Sequence, residues 1–535
     1  MAPATVHLPN GLTLTVTPVF GGIQFKANEW NIHHNAFPAG WTIILHSEDD
    51  DHDPSPKPSQ AAHSQLEPDA TLAAEPRRKH IHRFKKPTLR NDHLFISTIS
   101  NPSTSEFRPS SSPTRHIAMM LWASLWWYFH QPAPSPYLTT PASQSTPEEG
   151  RPKGEWILNI NREGIFKGKH LLPKLERMGL ITTEDTSVGL DPADGVRECG
   201  EGWSQMFASQ RAFWQLDARI YLFNLSPAQA PSPYPLVNDS RSGSPSPNSP
   251  ALTGTLRAEA PDPISRANTP PGPFTSGSHL PTYYPPHPLH YTWTNGIRHP
   301  IRPKPPRQGE TFYTRFVPSL GQYLSFRVAC VSPTAVQHHG PTSSVQGETA
   351  GALPHIDALS VQDTDTTKMT DVQLLHKWMN DPRVAYSWGE DGSLGHQENF
   401  LKAGLASKHS FPVIGCFDGN PFGYFEIYWV KEDRVAAHIG AGGCEDWDRG
   451  LHVLVGEKEF RGPHRVRVWL SALVHYCWTA DLRTNSVVME PRVDNAKLKG
   501  YCEDVGFYKE KEVSFAHKQS NLMRIRREAW SAPAI

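Results

Sequence analysis

The sequence predicts an α+β chain in two parts: a first half interrupted by polar insertions, and a second half built on a strand–helix–strand unit. Three observations predict it. Apolar and polar residues alternate at period two over 5–46 and again near the C-terminus, as half-buried strands do. Residues 116–130 form the most apolar segment, and apolar residues recur at helical spacing over 466–477. Proline reaches 51 of 535 residues while hydrophobic residues make up only 38%, so long stretches cannot enter a packed core.

Composition narrows the partners. A formal net charge of -1 gives no bulk attraction to nucleic acid or to an anionic membrane. The cysteines, at 199, 330, 416, 444, 477 and 502, show no CxxC spacing and read as scattered thiols of a reducing compartment. MAPATVHLPNG lacks the charged and apolar regions of a secretory signal, and the closing Pro-Ala-Ile is no peroxisomal address. The expectation is a cytoplasmic protein with a small-molecule substrate, no nucleic-acid or membrane partner and no metal.

In chain order, Leu12, Leu14 and Val16, then 22–26 and 41–46, mark the first strands. The acidic run Glu48–Asp53, with His46 and His52 beside it, opens a polar stretch to about Thr88. Its carboxylates lack an ordered ligand spacing, so a solvated loop is expected rather than a metal site. Residues 94–100 read as a strand. The apolar segment 116–130 is too short for a bilayer, which takes about 20 residues, and reads as a buried helix. Residues 155–181 read as strand, turn and helix. Their basic residues permit a winged-helix reading, which a neutral chain without a second basic helix disfavours. A helix is expected at 203–216 and a strand at 220–225. The Pro/Ser-rich stretch 226–306 is expected to be disordered for most of its length, 312–331 to return to strand, and 332–355 to be a linker. The predicted domains are therefore 1–331, with insertions at about 47–90, 101–114, 131–152 and 226–306, and 356–530.

The second half is read most closely. Leu451–Val455 is a short apolar strand between Gly450 and Gly456. After Arg461-Gly462 a helix carries Val466, Trp469, Leu470, Leu473, Val474 and Cys477 on one face. Thr484–Glu490 is a second strand, closed by Pro491. Asp494 or Asn495 caps a last helix that turns Leu498, Cys502 and Val505 inward and ends at Gly506. Strands joined by a helical crossover should be parallel, with their site at strand C-terminal ends and helix N-termini. Upstream, alternation through Gly423–Trp429 sets Tyr424, Glu426 and Tyr428 on one face and Phe425, Ile427 and Trp429 on the other. A carboxylate in so aromatic a strand needs a partner. That partner is either a bound ammonium or a structural cation such as Lys431 or an arginine. A hairpin, 513–517 with 522–526, closes the chain.

PFGYFEIYWVKED (421–433), DRGLHVLVGEKEFRG (448–462) and EPRVDN (490–495), preceded by WGEDG (388–392) and Gln397, resemble in order and spacing the acyl-CoA-binding core of the GNAT acyltransferases. Within that superfamily they are similar to the hydroxamate-siderophore branch, which acylates N-hydroxylated ornithine or lysine. The resemblance spans roughly 374–530. It implies a GNAT fold for the second half and a degenerate copy of that fold for the first. It also implies acyl transfer from CoA, with acetyl-CoA and N5-hydroxyornithine favoured. A mevalonate-derived donor or an N6-hydroxylysine acceptor is the alternative, and a non-catalytic CoA-site scaffold the rival class.

By the same resemblance, backbone N–H groups of Val453 and Val455 bind the thioester, and the helix start at Arg461 and Gly462 takes the pyrophosphate with Arg465 and Asn495. The loop departs from the family's R/Q-x-x-G-x-G/A, since Gly462-Pro463-His464-Arg465-Val466 lacks the later small residues; Arg465 and Arg467 are expected to compensate by charge. His452 is implied as general base, oriented by Glu490, against the plainer reading of a satisfied core histidine and a helix-entry carboxylate. Trp388, Glu390, Tyr424, Glu426 and Trp429 are implied to hold the amino-acid substrate. The tyrosine that protonates the leaving thiolate in many relatives is replaced by Cys502, with Tyr501 one residue earlier. Cys502 reads as packing, and no general acid is assigned.

Overall fold

The computed structural model describes residues 5–50 (without 10 and 29–37), 79–101, 113–183, 206–216, 290–343 and 365–530, save 169, 295 and 441–442. The expected strand at 220–225, the second half of the linker and most of the expected insertions lie outside the described residues. Two compact units result, one essentially up to Leu216 and one from Asp217 onward.

The first unit comprises β1 (Thr5–His7), β2 (Thr13–Val19), β3 (Gly22–Ala27), β4 (Gly40–Asp50), β5 (Lys79–Arg83), β6 (Asp92–Ser100), α1 (Pro113–Phe129), β7 (Ile157–Ile160), α2 (Leu171–Arg177), β8 (Thr182–Thr183), β9 (Met206–Ser209) and α3 (Gln210–Trp214). Its sheet runs β1-β2-β3-β4-β6-β7-β9-β8, with β5 paired to β4 off that path. Neighbours are antiparallel except β6 and β7, which α1 connects. Almost every side chain of α1 from Ala118 to Phe129 is buried, as expected of a helix apolar on all sides. It is locked to the sheet by polar contacts: Tyr128 Oη donates to Asp92 Oδ2 at 2.5 Å, and Trp41 Nε1 to Ser124 Oγ at 3.4 Å. No helix among the described residues is long and apolar enough to cross a membrane.

Two expectations change here. Residues 203–216 are not one helix: β9 pairs with β7, and Ser209 then caps the short α3 through Ala212 N–H. Four consecutive buried residues at 206–209 carry no periodicity, so they read equally well as helix. The polar stretch after residue 46 is also partly strand, since β4 continues to Asp50 and pairs with β5.

The second unit comprises β10 (Tyr291–Thr294), β11 (Ile297–Pro300), β12 (Thr311–Val317), β13 (Gln322–Val328), α4 (Asp371–Met379), α5 (Pro382–Trp388), α6 (Leu394–Ala406), β14 (Ser410–Phe417), β15 (Asn420–Trp429), α7 (Ala436–Ile439), β16 (Arg449–Val455), α8 (Pro463–Ala480), β17 (Ser486–Met489), α9 (Ala496–Val505), β18 (Tyr508–Ser514) and β19 (Gln519–Arg526). Its main sheet runs β12-β13-β14-β15-β16-β17-β19-β18, and only β16 and β17, joined by α8, are parallel.

The boundary expected at residue 331 is corrected. β12 and β13, within 312–331, are the first two strands of the second sheet, β13 pairing with β14 from Leu324↔Phe417 to Val328↔Val413. Arg327 also forms a two-pronged pair with buried Asp371 of α4, both contacts at 2.6 Å. An apolar run announces a strand but not the sheet it joins. The end of the stretch expected to be disordered is likewise structured. Arg302 donates to both oxygens of buried Glu432 at 2.7 and 2.6 Å, between the rings of Trp429 and Trp447. His299 Nδ1 lies 2.9 Å from the same carboxylate. A few residues that satisfy a buried charge outweigh the Pro-rich composition around them.

Strand for strand, the two sheets follow one order. Each is an antiparallel run of five strands, a single parallel step across a long helix, and a closing pair in which the last strand lies inside its predecessor. They differ where the second unit becomes hollow. It inserts α4, α5 and α6 between its second and third strands, where β2 and β3 of the first unit are joined by the tight turn at Phe20-Gly21. In the first unit a 3-10 turn, Gly164–Lys167, abuts β6 beyond its last pair with β7: a side chain at Gly164 would lie 2.2 Å from the Ile96 carbonyl oxygen, and Phe166 is fully buried.

Replacing Arg302 by alanine leaves the Glu432 carboxylate buried without its main counter-charge. Losing one partner of such a pair costs about 3–5 kcal/mol, so Arg302→Ala is expected to lower the urea midpoint followed by tryptophan fluorescence. An unchanged midpoint would show that this segment does not dock.

Candidate active site

β16 and β17 pair only at Arg449↔Val487 and Gly450↔Val488, then diverge. Past that point lies a cleft of about 1140 Å³, lined by β16, α5, the start of α8, Glu490–Asn495 and α9. The backbone there has a readable polarity. Gly456 N–H and Glu457 N–H donate to Phe422 O on the β15 side, whereas Val455 O accepts from Arg383 Nη2 at 2.8 Å on the other. N–H and C=O of one strand residue share an edge. Val455, and by alternation Val453, thus present their N–H groups to the cleft.

At the rim, α8 begins with Pro463 behind Gly462, whose φ of 122 other residues adopt only with strain. No side chain caps this helix; Pro463 has no N–H and the Arg465 and Val466 N–H groups donate to Gly462 O, so the His464 N–H and the positive end of the dipole are what its start offers an anion. Arg461 Nη2 donates to Gly456 O at 2.7 Å, and Arg383 and Arg461 both line the cleft.

The floor is a five-residue hydrogen-bonded chain. The β15–β16 register sets Glu426 opposite His452. His452 Nδ1 lies 2.8 Å from Glu426 Oε2, and its Nε2 lies 2.7 Å from Glu490 Oε1. The second oxygen of each carboxylate accepts from a tyrosine: Glu426 Oε1 from Tyr424 Oη at 3.0 Å and Glu490 Oε2 from Tyr428 Oη at 2.9 Å. Tyr428 can cross β16 only because Gly450, directly opposite, has no side chain; a Cβ there would sit 2.0 Å from the ring.

Burial by itself lowers the proton affinity of His452, but the Glu490 and Glu426 carboxylates outweigh it and push the ring up to about 10. Burial raises Glu426, yet His452 and Tyr424 hold it below its ordinary value. Burial and the adjoining carboxylates push Tyr424 and Tyr428 well above the phenol range, so both remain donors. At neutral pH the centre is an imidazolium between two carboxylates, with one net negative charge.

Most residues expected from the sequence meet here. Trp388, Glu390, Glu426, His452, Val453, Val455, Arg461, Gly462, Glu490 and Asn495 line the cleft, with the Tyr424 ring 5.7 Å behind that of Trp388. Asn495 also caps α9, accepting from Leu498 N–H at 3.1 Å. Two do not belong. Trp429 lies on the opposite face of β15, 3.4 Å from the Arg449 guanidinium, as strand alternation dictates. Arg465 turns away from the cleft, donating to Gln322 Oε1 at 3.0 Å and lying 5.0 Å from the rings of Phe417 and Phe460. It therefore supplies no charge to replace the missing small residues. The structural cation considered for Glu426 is not Lys431, which pairs with Asp446; His452 takes that place.

Sequence reasoning missed Arg383, Arg434, Arg492 and Lys518, cationic lining residues brought together from α5, the β15–α7 loop, the β17–α9 turn and the β18–β19 turn. It also left Tyr501 unassigned. That tyrosine lines the cleft one helical turn after Leu498, while Cys502 is fully buried against Met489, its thiol pushed up to about 12 by burial. The three-residue spacing from Leu498 is the signal that could have found it.

A splayed parallel strand pair that exposes backbone donors beside an uncapped helix start defines an acyl-CoA-dependent N-acyltransferase of the GNAT fold, and the acetyltransferase (GNAT) domain family matches residues 367–515. The chain is 46% identical over 97% of its length to N5-hydroxyornithine acetylase sidL of Beauveria bassiana, all of which is covered. It is 35% identical to hydroxyornithine transacylase SID3 of Ajellomyces capsulatus, over 48% of this chain and 52% of that one. It is 36% identical to the N(6)-hydroxylysine O-acetyltransferase of Escherichia coli, over 41% and 57% respectively. The chain belongs to the GNAT acyltransferases of hydroxamate-siderophore biosynthesis.

Gly450→Ala is expected to displace Tyr428 and destabilise the second unit by about 1–3 kcal/mol, the usual cost of overpacking, as read by urea unfolding. Retained stability would mean that the ring relocates freely. The His452 pairing also has a pH signature. A folded-state value raised from 6.5 to about 10 adds stability that is complete below 6.5 and falls away as pH rises towards 10. His452→Gln should flatten the decline of wild-type stability across that window, and parallel curves would contradict the pairing.

Proposed function

We propose that this enzyme transfers an acetyl group from acetyl-CoA to the hydroxylamine nitrogen of N5-hydroxyornithine, giving a hydroxamate. The observation that carries the reading is the Glu426–His452–Glu490 cluster, set on the cleft floor beside the open edge of β16. Identity with an N5-hydroxyornithine acetylase across nearly the whole chain favours acetyl over a bulkier donor and ornithine over lysine.

In this reading the CoA pyrophosphate rests on the first turn of α8, with Arg383 and Arg461 adding charge. Val453 N–H polarises the thioester carbonyl, and Val455 N–H holds the adjoining chain. A hydroxylamine is largely neutral at neutral pH and attacks without prior deprotonation. Its nitrogen forms the new C–N bond, and the adduct then loses an N–H proton far more acidic than that of the free amine. The base implied for His452 needs a neutral ring, whereas two carboxylates keep this ring charged. The proton therefore goes to a carboxylate, and Glu426, the more exposed of the two at 21% against 4%, is the better placed. His452, with both ring N–H groups given to Glu426 and Glu490, positions the two carboxylates. As the C–S bond breaks, Tyr501 Oη gives its proton to the thiolate, so one proton leaves nitrogen and one arrives at sulfur. Hydroxamate and CoA thiol result.

Purified enzyme with acetyl-CoA should acetylate N5-hydroxyornithine far faster than ornithine or N6-hydroxylysine, as read by product mass; no hydroxamate would end the reading. Glu426→Gln should lower kcat by about 10²-fold, the low end for positioned acid–base groups. In the wild type, kcat should stay level from neutral pH to near 10 and fall on the acid side. A kcat that climbs throughout 6.5 to 10 would return the base to the neutral His452 ring. Tyr501→Phe should lower kcat while leaving the KM for acetyl-CoA nearly unchanged.

A further inference from the structure

In the first unit, β4 and β6 are the fourth and fifth strands of the sheet order, the places that β15 and β16 hold in the second. The register sets His46 opposite His93, and Glu48, two residues after His46, projects from the same face. α1 packs on the other face, through Trp41 and Asp92. In the second unit α8 likewise packs opposite His452, with Trp469 stacked 5.2 Å from Phe425. The two polar clusters thus occupy corresponding faces of corresponding strand pairs.

Their chemistry is inverted. Where His452 lies between two carboxylates, here one carboxylate lies between two imidazoles. His46 Nε2 is 3.2 Å from Glu48 Oε1, and His93 Nε2 is 3.4 Å from Glu48 Oε2. The rings stack at 5.3 Å with an interplanar angle of 11°. One donor atom from each of the three residues lies within 4.8 Å of the others, and the side chains are only 15–16% exposed. His93 Nδ1 is 2.9 Å from Asn161 Oδ1, just past β7. An amide oxygen only accepts, so Nδ1 carries the proton and Nε2 turns its lone pair towards the carboxylate. A lone pair and a carboxylate oxygen face each other stably only with a positive charge between them, a second proton or a metal ion.

We propose that His46, Glu48 and His93 bind one divalent transition-metal cation. Two imidazole nitrogens and one carboxylate oxygen form a donor set suited to Zn²⁺. Asn161 then serves as the outer partner that orients His93. The sequence could not assemble this site. It places His46 and Glu48 together but beside His52, while the third ligand comes from a neighbouring strand.

The test uses the full chain, stripped with a chelator and titrated with Zn²⁺ by calorimetry, then with Co²⁺ to read its visible absorption. One equivalent should bind, with an absorption pattern of low coordination number, and Zn²⁺ should raise the Tm of the first unit. His46→Ala/His93→Ala should lose that equivalent, and Asn161→Ala should weaken it by about 10- to 100-fold. If the double variant fails to fold by circular dichroism, the near-isosteric Glu48→Gln replaces it, with a loss of at least about 10-fold expected. A wild type that takes up no stoichiometric metal would overturn the proposal. Unchanged binding in the folded ligand variants would overturn it equally.

Discussion

An imidazolium gripped by two carboxylates is the interaction around which the second unit is arranged. Each carboxylate must approach a different ring nitrogen, so three chain segments have to converge within hydrogen-bond reach: β15 for Glu426, β16 for His452 and the end of β17 for Glu490. The antiparallel register supplies the first meeting directly. The second needs β17 to run parallel to β16 and then leave it, because Glu490 reaches His452 across the opening rather than along a ladder. Tyr424 and Tyr428 occupy the outer oxygens, and Gly450 clears the path for Tyr428. With every strong acceptor engaged, a charged group can persist beneath an aromatic wall where an unpaired one could not.

The first unit shows what that arrangement requires. It repeats the strand order, the parallel step and the buried crossover helix, yet Phe166 and its 3-10 turn fill the place beside the diverging strand. Among its described residues it also has no counterpart to α4–α6, the insertion that supplies Arg383, Trp388 and Glu390 to the cleft. The fold permits a cleft but does not guarantee one. What separates the units is a helical wall on one side and an unfilled strand edge on the other.

Much of this was legible in the sequence, for identifiable reasons. Strong local signals placed β16, α8 and α9, and alternation through 423–429 set Glu426 and Tyr424 on one face and Trp429 on the other, although the resemblance puts Trp429 with the substrate. The meeting of His452 with Glu490 followed from treating the flanking strands as parallel neighbours. Pairing over long sequence distance was not legible. That β13 joins β14 across the linker, that Arg302 returns to Glu432, and that His452 rather than a lysine pairs with Glu426 all depend on contacts between segments far apart in sequence. Helical phase explains Arg465 and Tyr501: one turns to Gln322 and the other to the cleft, which residue type alone does not announce. The charge state of His452 was out of reach because Glu426, the second carboxylate that helps hold the ring charged, arrives only through the β15–β16 register.

That charge state is also the most direct test. With ¹⁵N-labelled histidine and His452 assigned by its loss in His452→Gln, the ring can be followed by NMR across pH. Both nitrogens should carry protons at neutral pH, and the ring should titrate towards 10. A ring that titrates near the ordinary 6.5, with one nitrogen bare at neutral pH, would contradict the account of the site.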